Sequence, residues 1–294
     1  MPDLEQEAAQ EHEDKLAIRR IVVGLDTSHH SLAALRAAAY LAHCLEADLH
    51  GLFVEDITLL RVAELPVARE IQFPFASRSR LSPRRMRRQL RAQAEQARRA
   101  LATVCSECGI EWTFEVARGD VSARVLKEAE TADLLCVGRA SRPLTRRSGV
   151  GSTAVAAAGA VSHSVLLVSR HTEIKSPVVV LYDGSEEGKK ALLIASRLAD
   201  HLEGLLSVVV PASAASSSEK IQEQITSELD GEELLVRYRE LAGSGLRSLI
   251  NAAHTEGAGL LVLDRSYLSA DRLVDFVTEV ECPILLLGRQ VAMP

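Results

Sequence analysis

Short apolar runs alternate along the chain with stretches in which apolar residues recur every three to four positions. The runs read as strands buried on both faces, and the periodic stretches read as amphipathic helices. In the first half the pattern predicts strands at 21–25, 49–54, 111–117, 134–137 and 165–168. Helices are expected near 31–44, 84–106, 122–131 and 152–161. The second half predicts strands near 178–182, 205–210, 233–238, 260–263 and 284–287, with helices near 186–201, 219–229, 245–255 and 271–279. Strict alternation of this kind implies an α/β fold. Two tandem doubly wound, Rossmann-like parallel sheets of five strands are expected, with helices on both faces.

The two halves are copies. Residues 21–54 match 178–210 at an offset of 157, which places Asp26 on Asp183, Ser28 on Ser185 and Leu35 on Leu192. The fourth strands match at 126 and the fifth at 119, so the second half is 31 residues shorter after its second strand and 7 shorter between its fourth and fifth. The expected division is an acidic tail at 1–17, a first domain at 18–170, a linker at 171–177 and a second domain at 178–290.

In a doubly wound sheet, ligands bind beyond the carboxyl ends of the strands. After its fourth strand the first half reads GRASRPLTRRSGVGST, with Gly149, Gly151, Ser152 and Thr153 leading into a helix. Glycine permits close approach of backbone to phosphate, and a helix N-terminus attracts anions. Arg139, Arg142, Arg146 and Arg147 add positive charge to that loop. The same residues also suit an ordinary loop with a Ser/Thr cap. The spacing matches neither a Walker loop nor a GxGxxG turn.

The segments IVVGLDTSHHSLAAL, LHGLFVED, GRASRPLTRRSGVGST and SVLLV together resemble the universal stress protein family, and both halves are covered. The ATP-binding branch of that family carries G-x2-G-x9-G-[S/T], here Gly138-x2-Ser141-x9-Gly151-Ser152, with Ser141 in the place of the second glycine. The resemblance implies a regulatory module of the stress response that binds ATP or a related adenine nucleotide. Asp26 and Val54 would contact adenosine, while Gly138, Ser141, Gly151, Ser152 and Thr153 would lie at ribose and phosphate. No metal is implied beyond Mg2+ accompanying the nucleotide. Other readings are a slow ATPase, for which no general base is identifiable, and a partner-binding protein without nucleotide. The second half reads LDRSYLSADRLVDF at the corresponding place, with Asp264 and Asp271 where phosphate would lie. It is expected to be a degenerate copy. The fifth strands of the two halves are expected to pair within one chain, and a homodimer stays open.

Composition narrows the remaining classes. Hydrophobic residues make up 47% and charged residues 25%, enough to build a core in each half. A net charge of −6 and 3% aromatics argue against a nucleic-acid platform. The polar N-terminus and sparse cysteines suit a cytoplasmic protein without membrane insertion. Cys105 and Cys108 form a lone CxxC at the end of a helix, read as two ordinary helix residues. Residues 61–99 hold eleven arginines against three glutamates, either a solvated helical surface or a dock for an acidic macromolecule.

Overall fold

The computed structural model describes residues 18–65, 69–72, 77–80, 82–139, 151–160, 163–170, 172–202, 204–211, 218–229, 234–241, 243, 245–268 and 270–288. The first half runs β1 (Arg20–Leu25), α1 (His29–Cys44), β2 (Asp48–Asp56), α2 (Ile57–Glu64), β3 (Arg69–Gln72), β4 (Ser77–Arg80), α3 (Pro83–Cys108), β5 (Trp112–Gly119), α4 (Val121–Ala129), β6 (Leu134–Gly138), α5 (Ser152–Ala160) and β7 (Ser164–Val168). The second half runs β8 (Val178–Leu181), α6 (Glu186–Asp200), β9 (Leu205–Val210), α7 (Ser218–Glu228), β10 (Leu235–Glu240), α8 (Leu246–Glu256), β11 (Leu260–Asp264), a 3-10 turn at Arg265–Tyr267, α9 (Ala270–Glu279) and β12 (Ile284–Leu287). None of the helices among the described residues is long and apolar enough to cross a membrane.

The strands form one ten-stranded sheet in the order β10-β9-β8-β11-β12-β7-β6-β1-β2-β5. Each half contributes five parallel strands with the same order, and β7 and β12 meet antiparallel, Leu166 opposite Leu285. The inner strands β7, β8 and β12 are buried along their whole length. The edge strands β5 and β10 instead carry exposed charges, which discourage pairing with another chain. Helices α1, α3, α6 and α7 cover one face and α4, α5, α8 and α9 the other. Sequence periodicity missed α2 and the β3–β4 hairpin. Both lie in the inserted stretch, where Asp56 accepts a hydrogen bond from the Thr58 N–H and so starts α2.

The seam between the halves is closed by two arginines in equivalent places. Arg139, one residue beyond β6, is buried. It donates through Nη1 to the Val277 and Val280 carbonyls and through Nη2 to that of Glu281, at the C-terminal end of α9. Arg265, one residue beyond β11, donates to the carbonyls of Ala158 and Gly159 at the end of α5. A helix C-terminus leaves carbonyls without intrahelical partners, and a cation there also meets the negative end of the dipole. Each arginine thus completes a helix of the opposite half. Tyr40 of α1 adds a bond from its hydroxyl to the His201 carbonyl across the same seam.

The outer strand β10 is anchored by a buried carboxylate. Glu256 of α8 accepts from Ser207 Oγ of β9 at 3.0 Å and from Arg237 Nη1 of β10 at 3.3 Å, with Arg239 Nε against its other oxygen. Burial alone would raise its pKa, but the bonds from Ser207 and Arg237 and the Arg239 charge outweigh it and hold the pKa below the usual value. Two predictions follow from these anchors. Arg139→Met should cost about 2–4 kcal/mol in chemical denaturation, since buried carbonyls lose their donors, and Arg139→Lys should not restore it because one ammonium lacks the fork. Glu256→Gln should cost about 1–2 kcal/mol at pH 7, a modest figure because both arginines are half-exposed and regain water. A depressed carboxylate pKa stabilises above the unfolded value of roughly 4.3 and less as pH falls through the folded one. The wild-type advantage over Glu256→Gln should therefore shrink between pH 5 and pH 2 on the order of that window.

Candidate functional site

Strand order reverses between β1 and β6, so the connections leaving these neighbours diverge to opposite faces and open a crevice. A cavity of about 350 Å³ occupies it. Its apolar walls come from Leu52 and Val54 of β2, Val125 of α4, Val137 of β6, and Leu59 and Leu90 of α2 and α3. The volume suits a nucleoside-sized ligand.

Four helices begin at this cavity. Ser28 caps α1 by accepting from the Ser31 N–H at 3.2 Å, Asp56 caps α2 at 2.7 Å from the Thr58 N–H, and Asp120 caps α4 at 2.9 Å from the Ala123 N–H. Ser152 and Thr153 open α5, and Thr153 Oγ1 lies 3.2 Å from Ser122 Oγ at the head of α4. The ends of four macrodipoles thereby converge on one space. Asp26 stands at the end of β1, its Oδ1 accepting from the Ser28 N–H at 2.9 Å while its own N–H donates to Ser31 Oγ.

Two backbone positions shape the mouth. Thr27 has φ 62°, a left-handed conformation that costs a β-branched residue energy. Its counterpart in the second half, Gly184, takes φ 82°. Gly138 lies so close to α1 that a Cβ there would come within 2.8 Å of the His30 carbonyl carbon. Its lack of a side chain is already required by packing of the protein against itself. His29 is exposed and His30 half-buried beside it.

Asp26, Val54, Gly138, Ser152 and Thr153 all line this one cavity. Gly151 stands beside it at the head of α5, where its carbonyl accepts from the Val155 N–H at 3.0 Å. Ser141, Arg142, Arg146, Arg147 and Gly149 lie outside the described residues. Arg139 does not serve the loop as its charge suggests, because its guanidinium is turned into the seam. Asp56, Asp120, Ser122, Leu59, Leu90 and Gln93 also line it and were not picked out from sequence. Strand-ending Asp-x-x patterns were the available signal for the two caps. Among the described lining residues there are three carboxylates and no Lys or Arg. In the second half Asp264 replaces Gly138 and accepts from the Ser266 N–H at 2.7 Å. Burial, reinforced by the Asp183 carboxylate, raises the Tyr267 pKa. The Asp271 side chain lies outside the described residues. Cys105 is buried near the C-terminal end of α3 with its thiol pushed up to about 11 by that burial, the environment of an inert cysteine.

The model of the Universal stress protein family matches residues 17–169. A universal stress protein from Archaeoglobus fulgidus DSM 4304 superposes with TM-score 0.67 at 15% identity, covering 92% of this chain and 98% of its own. A functionally unknown protein from Pseudomonas aeruginosa PAO1 gives TM-score 0.58 at 15% identity, with 94% and 95% covered. A universal stress protein solved in complex with cAMP is 21% identical over 52% of this chain and 97% of its own, at TM-score 0.37. No curated protein sequence matches the chain.

The Thr27 conformation gives a direct test of strain at the mouth. Thr27→Gly should raise stability by about 1 kcal/mol, because glycine reaches φ near +60° without the Cβ penalty although its unfolded chain is freer. Thr27→Val should lower stability instead. Chemical denaturation of both variants measures this.

Proposed function

The chain belongs to the universal stress protein family, and from that premise we propose that its first half binds one adenine nucleotide as a regulatory module of the stress response. The observation that carries the reading is the convergence of four helix starts on one apolar-walled cavity at the reversal of strand order. The apolar walls, Val54 among them, accept the base, and Asp26 at the end of β1 receives a hydrogen-bond donor of the adenosine. The N–H groups at the head of α5, with Ser152 and Thr153, receive the ribose and phosphate end beside Gly138 and Gly151, and the family resemblance assigns Ser141 to the same end. Three carboxylates at the mouth oppose a highly charged phosphate chain, so the N–H groups must supply the attraction. The domains are read as 18–170 and 178–290, with a tail at 1–17 and a linker at 171–177. The second half, with Asp264 in the glycine position, serves as a structural copy. The protein acts in the cytoplasm and holds its ligand without turning it over.

Calorimetry of the full chain with ATP, AMP and cyclic AMP tests this reading. One site per chain is expected. Val54→Trp, which projects an indole into the cavity, should weaken binding at least tenfold, and Gly151→Val should do the same by placing a branched side chain at the head of α5. No binding up to millimolar nucleotide, or two equivalent sites per chain, would overturn it. Release of phosphate from ATP by the wild type, lost in Val54→Trp, would move the assignment to a slow ATPase.

A further inference from the structure

The opposite ends of the same strands hold a second group of chemistry-bearing residues. His50 is the third residue of β2, Thr113 the second of β5, and Glu115 follows on the same face of β5. Glu128 reaches them from α4, which packs over that face. One ligand atom from each of His50, Glu115 and Glu128 lies within 4.8 Å of the other two. The nucleotide cavity is at the carboxyl ends of these strands, so the cluster is separate from it.

The imidazole supplies an independent observation. His50 is only 8% exposed. Its Nδ1 lies 2.7 Å from Thr113 Oγ1, a bond that fixes the ring plane and suits Nδ1–H donating to the hydroxyl. Its Nε2 is buried, makes no hydrogen bond and faces Glu128 Oε1 at 3.7 Å. With the proton on Nδ1, a buried nitrogen lone pair faces a carboxylate oxygen of the partly exposed Glu128. Arg20 Nη2 reaches Glu128 Oε1 at 3.2 Å, which answers the carboxylate but leaves the imidazole nitrogen unanswered.

We propose that His50, Glu115 and Glu128 bind a divalent transition-metal ion, zinc in the first place, through Nε2 and one oxygen of each carboxylate, with water completing the coordination. Tetrahedral zinc with bonds of about 2.0–2.1 Å sets ligand atoms roughly 3.3 Å apart, close to the spacing already present between Nε2 and Glu128. Glu115 is exposed on the edge strand and free to close the remaining gap. An imidazole among carboxylates favours zinc over magnesium or calcium, which prefer all-oxygen sets. Thr113 is the positioning residue, holding the ring so that Nε2 faces the ion. Arg20 competes with the cation for Glu128.

The test is calorimetry of chelator-stripped, full-length protein with Zn2+ alone at pH 7.5. One equivalent should bind. Glu115→Gln, an exposed change that leaves the fold intact, should weaken binding at least tenfold, and His50→Gln should abolish it. Thr113→Val should weaken it about tenfold. Arg20→Ala should tighten it, a result that a merely structural ion pair does not produce. Because the chain also holds five cysteines and eight other histidines, Co2+ serves as a spectroscopic probe, and its spectrum should lack a thiolate-to-cobalt band. Absence of stoichiometric binding at 0.1 mM Zn2+ on the order of a weak surface site, unchanged affinity in Glu115→Gln, or a thiolate band would each overturn the proposal. Nucleotide titration of Glu115→Gln gives the same result as wild type if the two sites are independent, so failure of one assignment leaves the other standing.

Discussion

The fold turns on the residue that follows β6. Arg139 donates its backbone N–H to the Val168 carbonyl of β7 at 2.8 Å, and its own carbonyl receives the Gly151 N–H at 2.6 Å. Its side chain meanwhile completes the C-terminal end of α9 in the other half. One residue therefore fixes the head of α5, which borders the cavity, and closes the seam between the copies. A buried guanidinium is tolerated because every donor direction meets a carbonyl or the Ser169 hydroxyl. Desolvation lowers its pKa, yet a guanidinium starts high enough to stay charged. The antiparallel pairing of β7 with β12 needs this closure. Without it two wholly apolar strands would become open edges.

Comparison of the halves separates residues kept for architecture from residues kept for the cavity. The pair Arg139 and Arg265 is duplicated, and so are the caps Ser28 and Ser185, each accepting from the N–H three residues on. These serve backbone groups that every copy of the fold must satisfy. The position before the arginine is not duplicated, being Gly138 in one half and Asp264 in the other. Only the glycine lets α1 approach β6 closely while leaving the carboxyl end of the strand open. The second difference runs the other way, since the strained Thr27 belongs to the half with the cavity described above and its relaxed counterpart Gly184 to the other half. Strain retained where the cavity is built fits a mouth whose shape matters more than its stability.

Most of the strand and helix order was legible in sequence, because buried parallel strands and amphipathic helices leave periodic signatures and the chain states them twice. The lengths of β2 and β5 were underestimated at their carboxyl ends, where Glu55, Asp56 and Arg118 break the apolar pattern. Glu55 pairs with Arg118 at 2.6 Å, and that pairing carries the strands past their apolar core. That Asp26, Gly138, Ser152 and Thr153 line one cavity was also legible, from the glycine, the strand-ending Asp and the Ser-Thr helix start. Asp120, Leu90 and Gln93 were not, because they come from elements far apart in sequence. The role of Arg139 was hidden by its neighbours, since a fourth arginine in a basic loop reads as charge. The offset of 126 nonetheless puts an arginine after both fourth strands, and that coincidence was the available clue. The His50 cluster had no sequence signature at all, as its members sit on two strands and a helix.

The arginine-rich segment acquires a different meaning once its helix is placed. Leu90, Ala94, Ala97, Leu101 and Cys105 recur every three or four residues as the buried stripe of α3, while Arg84, Arg87, Arg88 and Arg91 face solvent. Arg87 meets Glu64 of α2 at 3.3 Å, an exposed pair worth little energy where the two helices run side by side. Leu59 of α2 and Leu90 and Gln93 of α3 then reach over the cavity that β1 and β6 open. The insertion that the second half lacks is thus the wall of the first half's cavity as well as a cationic surface. Leu90 at the start of its apolar stripe, with Leu59, borders the space in which a base would lie, while Ala94, Ala97, Leu101 and Cys105 pack into the core. The second copy has neither that wall nor a glycine after its fourth strand, and the two losses act on the same volume. Among the described residues, these two differences set the cavity-bearing half apart from its copy of the same topology.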